Sequence, residues 1–460
     1  MQQLDFSNSL HSLLWGKILI PTHGSDPMLS SLLYQGGLAD FWLTAQKAGI
    51  ELDLIYLLIA TAVLGAGIAI YLLSPARPVY LIGYHVYKAP DRLKMNTARF
   101  MSLSRQSKLF TESSMEFQRK VLERGGLGND TYLPQAVQQV PATPSMAAAR
   151  EEAEMVMFDS VQKVLDKYQV APRQVDILIV NCSLFGPTPS LSAMIVNHFK
   201  MRSNVIAYNL GGMGCSAGLI SIALAREMLQ VYPNSNVLVV STENMSQNWY
   251  NGNQKSMLIP NCLFRVGGAA MLLSNKRSDR RRAQYCLQTV VRTHLGANDE
   301  SYNCVIQEED EQGKRGVHLS KDLMEIAGKA LRINITTLGP QVLPLTEKAR
   351  YAINMFRRKV LKARVKAYTP DFSKAFDHIC IHTGGRGVID EIEKQLKFSN
   401  DMVAPSRQTL FRYGNISSSS IWYVLACIEA TGAVRAVAGH QPLECGSGTL
   451  QQSSEGVTSA

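Results

Sequence analysis

The sequence predicts a duplicated, layered α/β fold preceded by an N-terminal transmembrane helix, and three observations carry that reading. Short β-branched runs alternate with amphipathic stretches along the 460 residues, the pattern of a sheet covered by helices. A strand, a glycine turn and a helix of small residues occur in that order twice, as in a duplicated half. Leu54 to Leu73 (LIYLLIATAVLGAGIAIYLL) holds 20 residues without a charge. The composition, 46% hydrophobic and 18% charged, excludes a disordered, collagen-like or disulfide-scaffold chain.

Residues 1–53 form an N-terminal segment with net charge −3. Within it, 29–45 is moderately apolar but contains Gly36, Gly37 and Asp40, so both a second span and an interfacial segment stay open. Residues 54–73 form the transmembrane helix, because 20 helical residues measure about 30 Å, the thickness of a bilayer core. The run is too long and starts too late for a cleaved signal peptide. Beyond residue 73 the chain carries +13, with Arg77, Lys88 and Arg92 close to the helix. The positive-inside bias then places the large remainder on the cytoplasmic side. That surplus suits an anionic membrane face or a polyphosphate-bearing substrate such as coenzyme A. No basic, aromatic-interleaved motif supports nucleic acid.

In the first half, 76–345, a Pro- and Gly-bearing linker at 126–144 precedes a helix over 146–168. A strand at 176–181 (DILIVN) leads to a helix at 191–200. A second strand at 205–209 leads through Gly211-Gly212-Met213-Gly214-Cys215-Ser216-Ala217-Gly218 into a helix at 219–231. Residues 290–294 read as another strand. The second half, 346–445, repeats the plan. A strand at 377–382 (DHICIH) passes through Thr383-Gly384-Gly385 into a helix at 387–396, and a strand at 409–413 passes through Gly414-Asn415 into a helix at 421–430. Eight cysteines lie far apart with no C-x-x-C pair, which fits reduced thiols in a cytosolic compartment. Five N-x-S/T sequons are read as chance, since Asn181 and Asn415 sit at core strand ends where a glycan has no room.

Cys215 is the centre of the chemistry. It follows a strand and a glycine turn at the start of a helix. There, unpaired N–H groups and the dipole stabilise a thiolate and can bind an oxyanion. His382 ends an apolar strand at the carboxyl edge of the sheet, and Asn415 occupies the equivalent turn of the other repeated unit. Nucleophile, base and amide then converge as a Cys-His-Asn arrangement, if pseudo-symmetry relates the halves. His378 and His382 form an H-x-x-x-H, but four residues on a strand span ~13 Å, too far to share a metal, so no metal site is expected. His378 reads as a core or supporting histidine. His294, at the end of its strand, is a further supporting candidate. Two basic runs, 276–282 (KRSDRRR) and 357–366 (RRKVLKARVK), are solvated faces or contacts to phosphate or membrane.

With these residues in place, the chain resembles the membrane-bound 3-ketoacyl-CoA synthases, the condensing enzymes of very-long-chain fatty acid elongation in plants and algae. The resemblance runs from about residue 78 to 430. It rests on Leu122-Glu123-Arg124-Gly125-Gly126-Leu127-Gly128, Asn209-Leu210-Gly211-Gly212-Met213-Gly214-Cys215-Ser216-Ala217-Gly218, Asn248-Trp249-Tyr250-Asn251-Gly252-Asn253 and Asn261-Cys262-Leu263-Phe264-Arg265. Arg292-Thr293-His294, His382-x-Gly384-Gly385-Arg386 and Gly414-Asn415-x-Ser417-Ser418-Ser419-Ser420 complete it. The resemblance implies a thiolase-like fold and a decarboxylative Claisen condensation of acyl-CoA with malonyl-CoA, with no cofactor beyond these substrates. Cys215 would carry the acyl group, while His382 and Asn415 would stabilise the malonyl enolate. It further implies a homodimer in the endoplasmic reticulum membrane, facing the cytosol and working with the elongase reductase and dehydratase. Two departures stand out. Phe411 replaces the family's usual histidine, and the chain from about Ala436 diverges, keeping only Gly446-Ser447-Gly448. A polar tail at 446–460 is therefore expected to be disordered, with the final strand short or missing and activity low. The alternatives are a catalytically impaired elongase subunit acting by interaction, or a related type III polyketide synthase-like condensing enzyme.

Overall fold

The computed structural model describes residues 54–73 and 76–432, with side chains of the first helix, α1 (Leu54–Leu73), described at 56–67. The segment 1–53, the expected final strand beyond 432 and the expected tail 446–460 lie outside the described residues. Two compact units divide the chain, Met1–Ala76 and Arg77–Ala460. In the first, α1 has no acidic residue in its first turn and no basic residue in its last. Tyr56, Leu58, Ile59, Val63 and Leu64 are exposed along it. Among the residues described with their side chains, which include only 56–67 of α1, no helix is long and apolar enough to cross a membrane.

In the second unit a six-stranded sheet forms the core. Its strands are β1 (Val79–Val86), β2 (Ile177–Asn181), β3 (Ile206–Leu210), β4 (Asn236–Thr242), β5 (Gly268–Ser274) and β6 (Tyr285–Leu287), in the order β3-β2-β4-β5-β1-β6. β2 runs parallel to β3 and β4, whereas β4–β5, β5–β1 and β1–β6 are antiparallel. β2, β4 and β5 are buried at every residue. That burial explains their near-continuous apolar sequences, since a strand covered on both faces has no solvent side to leave polar.

Successive side chains serve opposite faces. Leu178, Val180, Leu238 and Val240 pack with Met157, Val161 and Val164 of α2 (Met146–Tyr168). Ile177, Ile179, Val237 and Val239 pack with Ile222, Ala225 and Leu229 of α3 (Ala217–Val231), joined by Trp422 and Ala426 of the helix Ser420–Ala430. α2 starts at Ser145, whose Oγ accepts from the Ala148 N–H at 3.1 Å.

The second half differs from the sequence expectation. Among the described residues of 346–445 no strand forms. Residues 409–413, expected as a strand, are the last turns of the helix Asn400–Tyr413. There the helical spacing of buried Val403, Ser406 and Leu410 overrides the aromatic, strand-like letters. Residues 377–382 are irregular, as are 290–294. An extended segment without a paired neighbour must find other partners for its backbone, and the Ile381 N–H donates to Ser406 Oγ at 3.1 Å. Beside it lies an open, largely apolar groove lined by Phe372, Phe376, Ile379, Ile381, His382 and Phe398.

Candidate active site

The loops leaving the carboxyl ends of β2, β3 and β4 meet a fourth turn, Asn415–Ser419, on one edge of the sheet. Cys215 lies in the single 3₁₀ turn Gly214–Ser216, directly before α3. Gly214 has φ +59°, the left-handed conformation that glycine adopts without penalty. Its carbonyl accepts from Ser183 Oγ at 3.2 Å. Gly218 is needed for a different reason: a Cβ there would lie 2.3 Å from the carbonyl oxygen of Ser418. The start of α3, directly after the Cys215 turn, and the serine turn are therefore in backbone contact.

Across that contact Ser417 Oγ lies 3.8 Å from Cys215 Sγ and 3.0 Å from Glu243 Oε2. Ser417 holds φ +49°, an uncommon state for a non-glycine residue. It is fixed there by donating its N–H to Asn415 Oδ1 at 2.8 Å. Asn415 is 3% exposed. Its own N–H donates to the Leu263 carbonyl at 3.0 Å, and its carbonyl accepts from the Arg265 N–H at 2.8 Å. Arg265 is itself buried, donating to Thr131 Oγ1 at 2.9 Å and to the Phe264 carbonyl at 2.7 Å.

His382 joins the same assembly through its neighbour, since Thr383 Oγ1 donates to the Gly414 carbonyl at 2.9 Å. The turns carrying Cys215, His382 and Asn415 are thus linked by consecutive contacts. His294 and His378 are not drawn in. Both are exposed, and Nδ1 of His294 accepts from the nearby Gly296 N–H at 3.1 Å. His378 is thus neither a core residue nor in contact with the thiol turn; it lines the groove. Among the described residues no cluster of three or more His, Cys, Asp or Glu is placed to hold a metal ion.

The electrostatics also depart from the sequence reading. Burial pushes the Cys215 thiol up to about 11; the Ser417 hydroxyl opposes that rise and the Glu243 carboxylate adds to it. The thiol therefore lies above its ordinary value, not below it as the helix start led the sequence reading to expect. Burial pushes the His382 imidazole down to about 4, so the ring is neutral near pH 7 and carries one N–H donor.

Glu243 was missed in the sequence. It is 4% exposed, and besides Ser417 it accepts from the Leu184 N–H at 2.9 Å and Cys182 Sγ at 3.3 Å. Burial raises its pKa against these hydrogen bonds. A carboxylate directly after the buried run of β4 was the available signal, because such a residue falls at the strand's carboxyl edge. The adjoining turn is held by buried Glu152, which accepts the N–H groups of Met245 and Ser246 at 3.0 and 2.7 Å and whose pKa burial lifts to about 7.

This geometry offers a thiol, a neutral imidazole and an amide around one edge of a sheet, fitted to acyl transfer and to binding an oxyanion. The profile of the FAE1/Type III polyketide synthase-like protein family matches residues 71–360, and that of the chalcone and stilbene synthases, C-terminal domain, matches 326–446. 3-Ketoacyl-CoA synthase 4 of Arabidopsis thaliana is 56% identical over 386 residues, 84% of this chain and 75% of that protein. 3-Ketoacyl-CoA synthase 9 of the same plant is 56% identical over 390 residues, 84% of this chain and 76% of that protein. The solved PKS-I from the brown alga Ectocarpus siliculosus superimposes with a TM-score of 0.61 at 17% identity, covering 78% of this chain and 91% of its own. A fungal type III polyketide synthase, ORAS, superimposes with a TM-score of 0.60 at 16% identity, covering 77% and 91%. These two establish the thiolase-like α/β fold.

Proposed function

We propose, for a chain that belongs to the FAE1/type III polyketide synthase-like family and within it to the 3-ketoacyl-CoA synthases, that Cys215, His382 and Asn415 carry the condensing step of very-long-chain fatty acid elongation. The observation behind the assignment is the contact of Ser417 with Cys215, which brings the nucleophile turn against the turn of Asn415.

Cys215 attacks the thioester carbonyl of acyl-CoA. The new C–S bond replaces the bond to coenzyme A, and the thiol proton passes through His382 to the departing coenzyme A sulfur. Although each group alone resists ionisation, a thiolate and an imidazolium stabilise one another, so the pair ionises together as the carbonyl is attacked. Malonyl-CoA then loses CO2, and the electron pair of the broken C–C bond moves into an enolate. The neutral His382 N–H and the Asn415 amide donate to the enolate oxygen, where charge develops. The carbanion attacks the acyl thioester, releasing 3-ketoacyl-CoA and the Cys215 thiolate. The malonyl carboxylate itself supplies the carbanion, so no cofactor or metal is needed.

The further assignments extend this reading. The uncharged 20-residue α1 and the charge asymmetry across it support an anchor in the endoplasmic reticulum membrane with the Arg77–Ala460 unit on the cytosolic side. The enzyme works as a homodimer, and its product passes to the elongase reductase and dehydratase. The test is a labelling experiment in membranes. Cys215→Ala should abolish both capture of a labelled acyl group and CO2 release. His382→Ala and Asn415→Ala should lose CO2 release while retaining part of the acyl transfer. Normal condensation by Cys215→Ala, with the acyl group on another residue, would overturn the assignment.

A further inference from the structure

α4 (Leu345–Lys359) carries an apolar stripe on the wrong side for a packed helix. Leu345, Ala349, Ala352, Ile353, Phe356 and Val360 recur at i, i+4, i+7, i+8, i+11 and i+15, one continuous face, and all are exposed. Exposure reaches 81% for Leu345, 59% for Ile353, 55% for Phe356 and 61% for Val360. The opposite face is held inward. Glu347, 0% exposed, accepts from the Tyr368 hydroxyl at 2.5 Å and from Lys374 Nζ at 2.8 Å. Asn354 Oδ1 accepts from the Tyr368 N–H at 3.0 Å. These contacts leave the helix no rotation that would bury the stripe.

Cations border the stripe on both sides, with Lys348 and Lys359 along one edge and Arg350 and Arg357 along the other. The chain continues past the helix through exposed Leu361 with Lys362, Arg364 and Lys366. Residues 345–366 thus hold eight basic residues against one acidic residue, the inward Glu347. An apolar face rimmed by cations whose long stems can lie along it is the pattern of a helix resting in a lipid interface. The other basic run, Arg277–Arg281, has charges but no exposed large apolar side chain beside them.

We infer that α4 and the following basic segment form a second membrane contact, seating the apolar stripe at the acyl boundary of an anionic phospholipid surface. Charge complementarity selects that partner. A neutral bilayer leaves the flanking cations unanswered, and a second copy of the chain would bring like charge against like. The inference rests on neither the reaction chemistry nor the anchoring role of α1.

The test uses the full chain reconstituted in vesicles of phosphatidylcholine, with or without phosphatidylserine, each doped with a phospholipid bearing a photoreactive acyl chain. Peptides covering 345–366 should take up label in the phosphatidylserine vesicles and lose most of it at high salt. Replacing Arg357 by Gln should lower the ratio of labelling in the two vesicles about fivefold. Ile353→Asp with Phe356→Asp should abolish labelling while leaving condensation in detergent unchanged. If that variant does not fold, the salt series on the unaltered chain decides alone. Labelling no greater than that of the 277–281 peptide, or crosslinks joining 345–366 of two copies, would overturn the inference. Loss of condensation activity would bear on the catalytic assignment and leave this one standing.

Discussion

Replacing Gly218 with alanine tests the assembly of the site by one methyl group. The new Cβ would sit 2.3 Å from the Ser418 carbonyl oxygen, where real contacts essentially never fall below 3.0 Å, so the two turns must part by at least 0.7 Å. The obstacle is backbone, and no rotamer change relieves it. Overpacking of this kind costs about 1–3 kcal/mol, which for a unit of this size lowers the thermal midpoint by about 1–4 °C. The larger effect falls on catalysis, because the displacement opens the gap between Cys215 and the turn carrying Asn415 and Ser417. A misplacement near 1 Å costs about 10²-fold in rate. Thermal unfolding by circular dichroism and release of labelled CO2 from malonyl-CoA measure the two effects. Gly387→Ala is the control, since a Cβ there meets nothing within 4 Å. An unchanged thermal midpoint together with a rate within twofold of the parent would show that the turns are not held by this contact.

Three more expectations concern charge. Glu243→Gln removes the carboxylate that helps raise the Cys215 thiol, so alkylation of Cys215 should reach half-maximal rate at lower pH than in the parent; an unchanged profile would discard that coupling. The His382 imidazole is held down to about 4 against an ordinary 6.5. Its contribution to stability is complete above pH 6.5 and is lost as pH falls toward 4, by at most about 3 kcal/mol. His382→Gln should flatten the fall of the thermal midpoint over that window. Arg265→Met leaves the Thr131 hydroxyl and two carbonyls without their buried donor and loosens the loop bonded to Asn415. A loss of about 2–4 kcal/mol is expected by denaturant titration.

The first half was legible because its signals are local. The apolar run DILIVN reads as a strand, and the structure forms β2 there with every residue buried. The glycine turn before α3 announced itself by composition. The meeting of Glu243 with Ser417 did not, because it joins residues 174 apart in sequence; the position of Glu243 after a buried run marks the strand edge but not its partner. The thiol shows the same division. A helix start is visible in the letters, but the desolvation that pushes Cys215 up to about 11 comes from elements packed around it.

In the second half the expected strands do not form, yet the turns carrying His382 and Asn415 still meet. A strand exists only through its neighbours, so the apolar alternation of 377–382 could not by itself decide the conformation, and among the described residues no partner strand is present. The functional turns depend on other contacts. Thr383 donates to the Gly414 carbonyl, Leu263 and Arg265 bracket Asn415 by backbone bonds, and Gly218 lets Ser418 close on α3. Each of these joins the second half to the first, or one turn to the next, without passing through a sheet. Side chains placed by turn-to-turn bonds on a rigid, doubly covered sheet keep their positions even where the adjoining strand pattern changes. For that reason the turns could be picked out from their glycine-rich sequences more securely than the strands expected to support them.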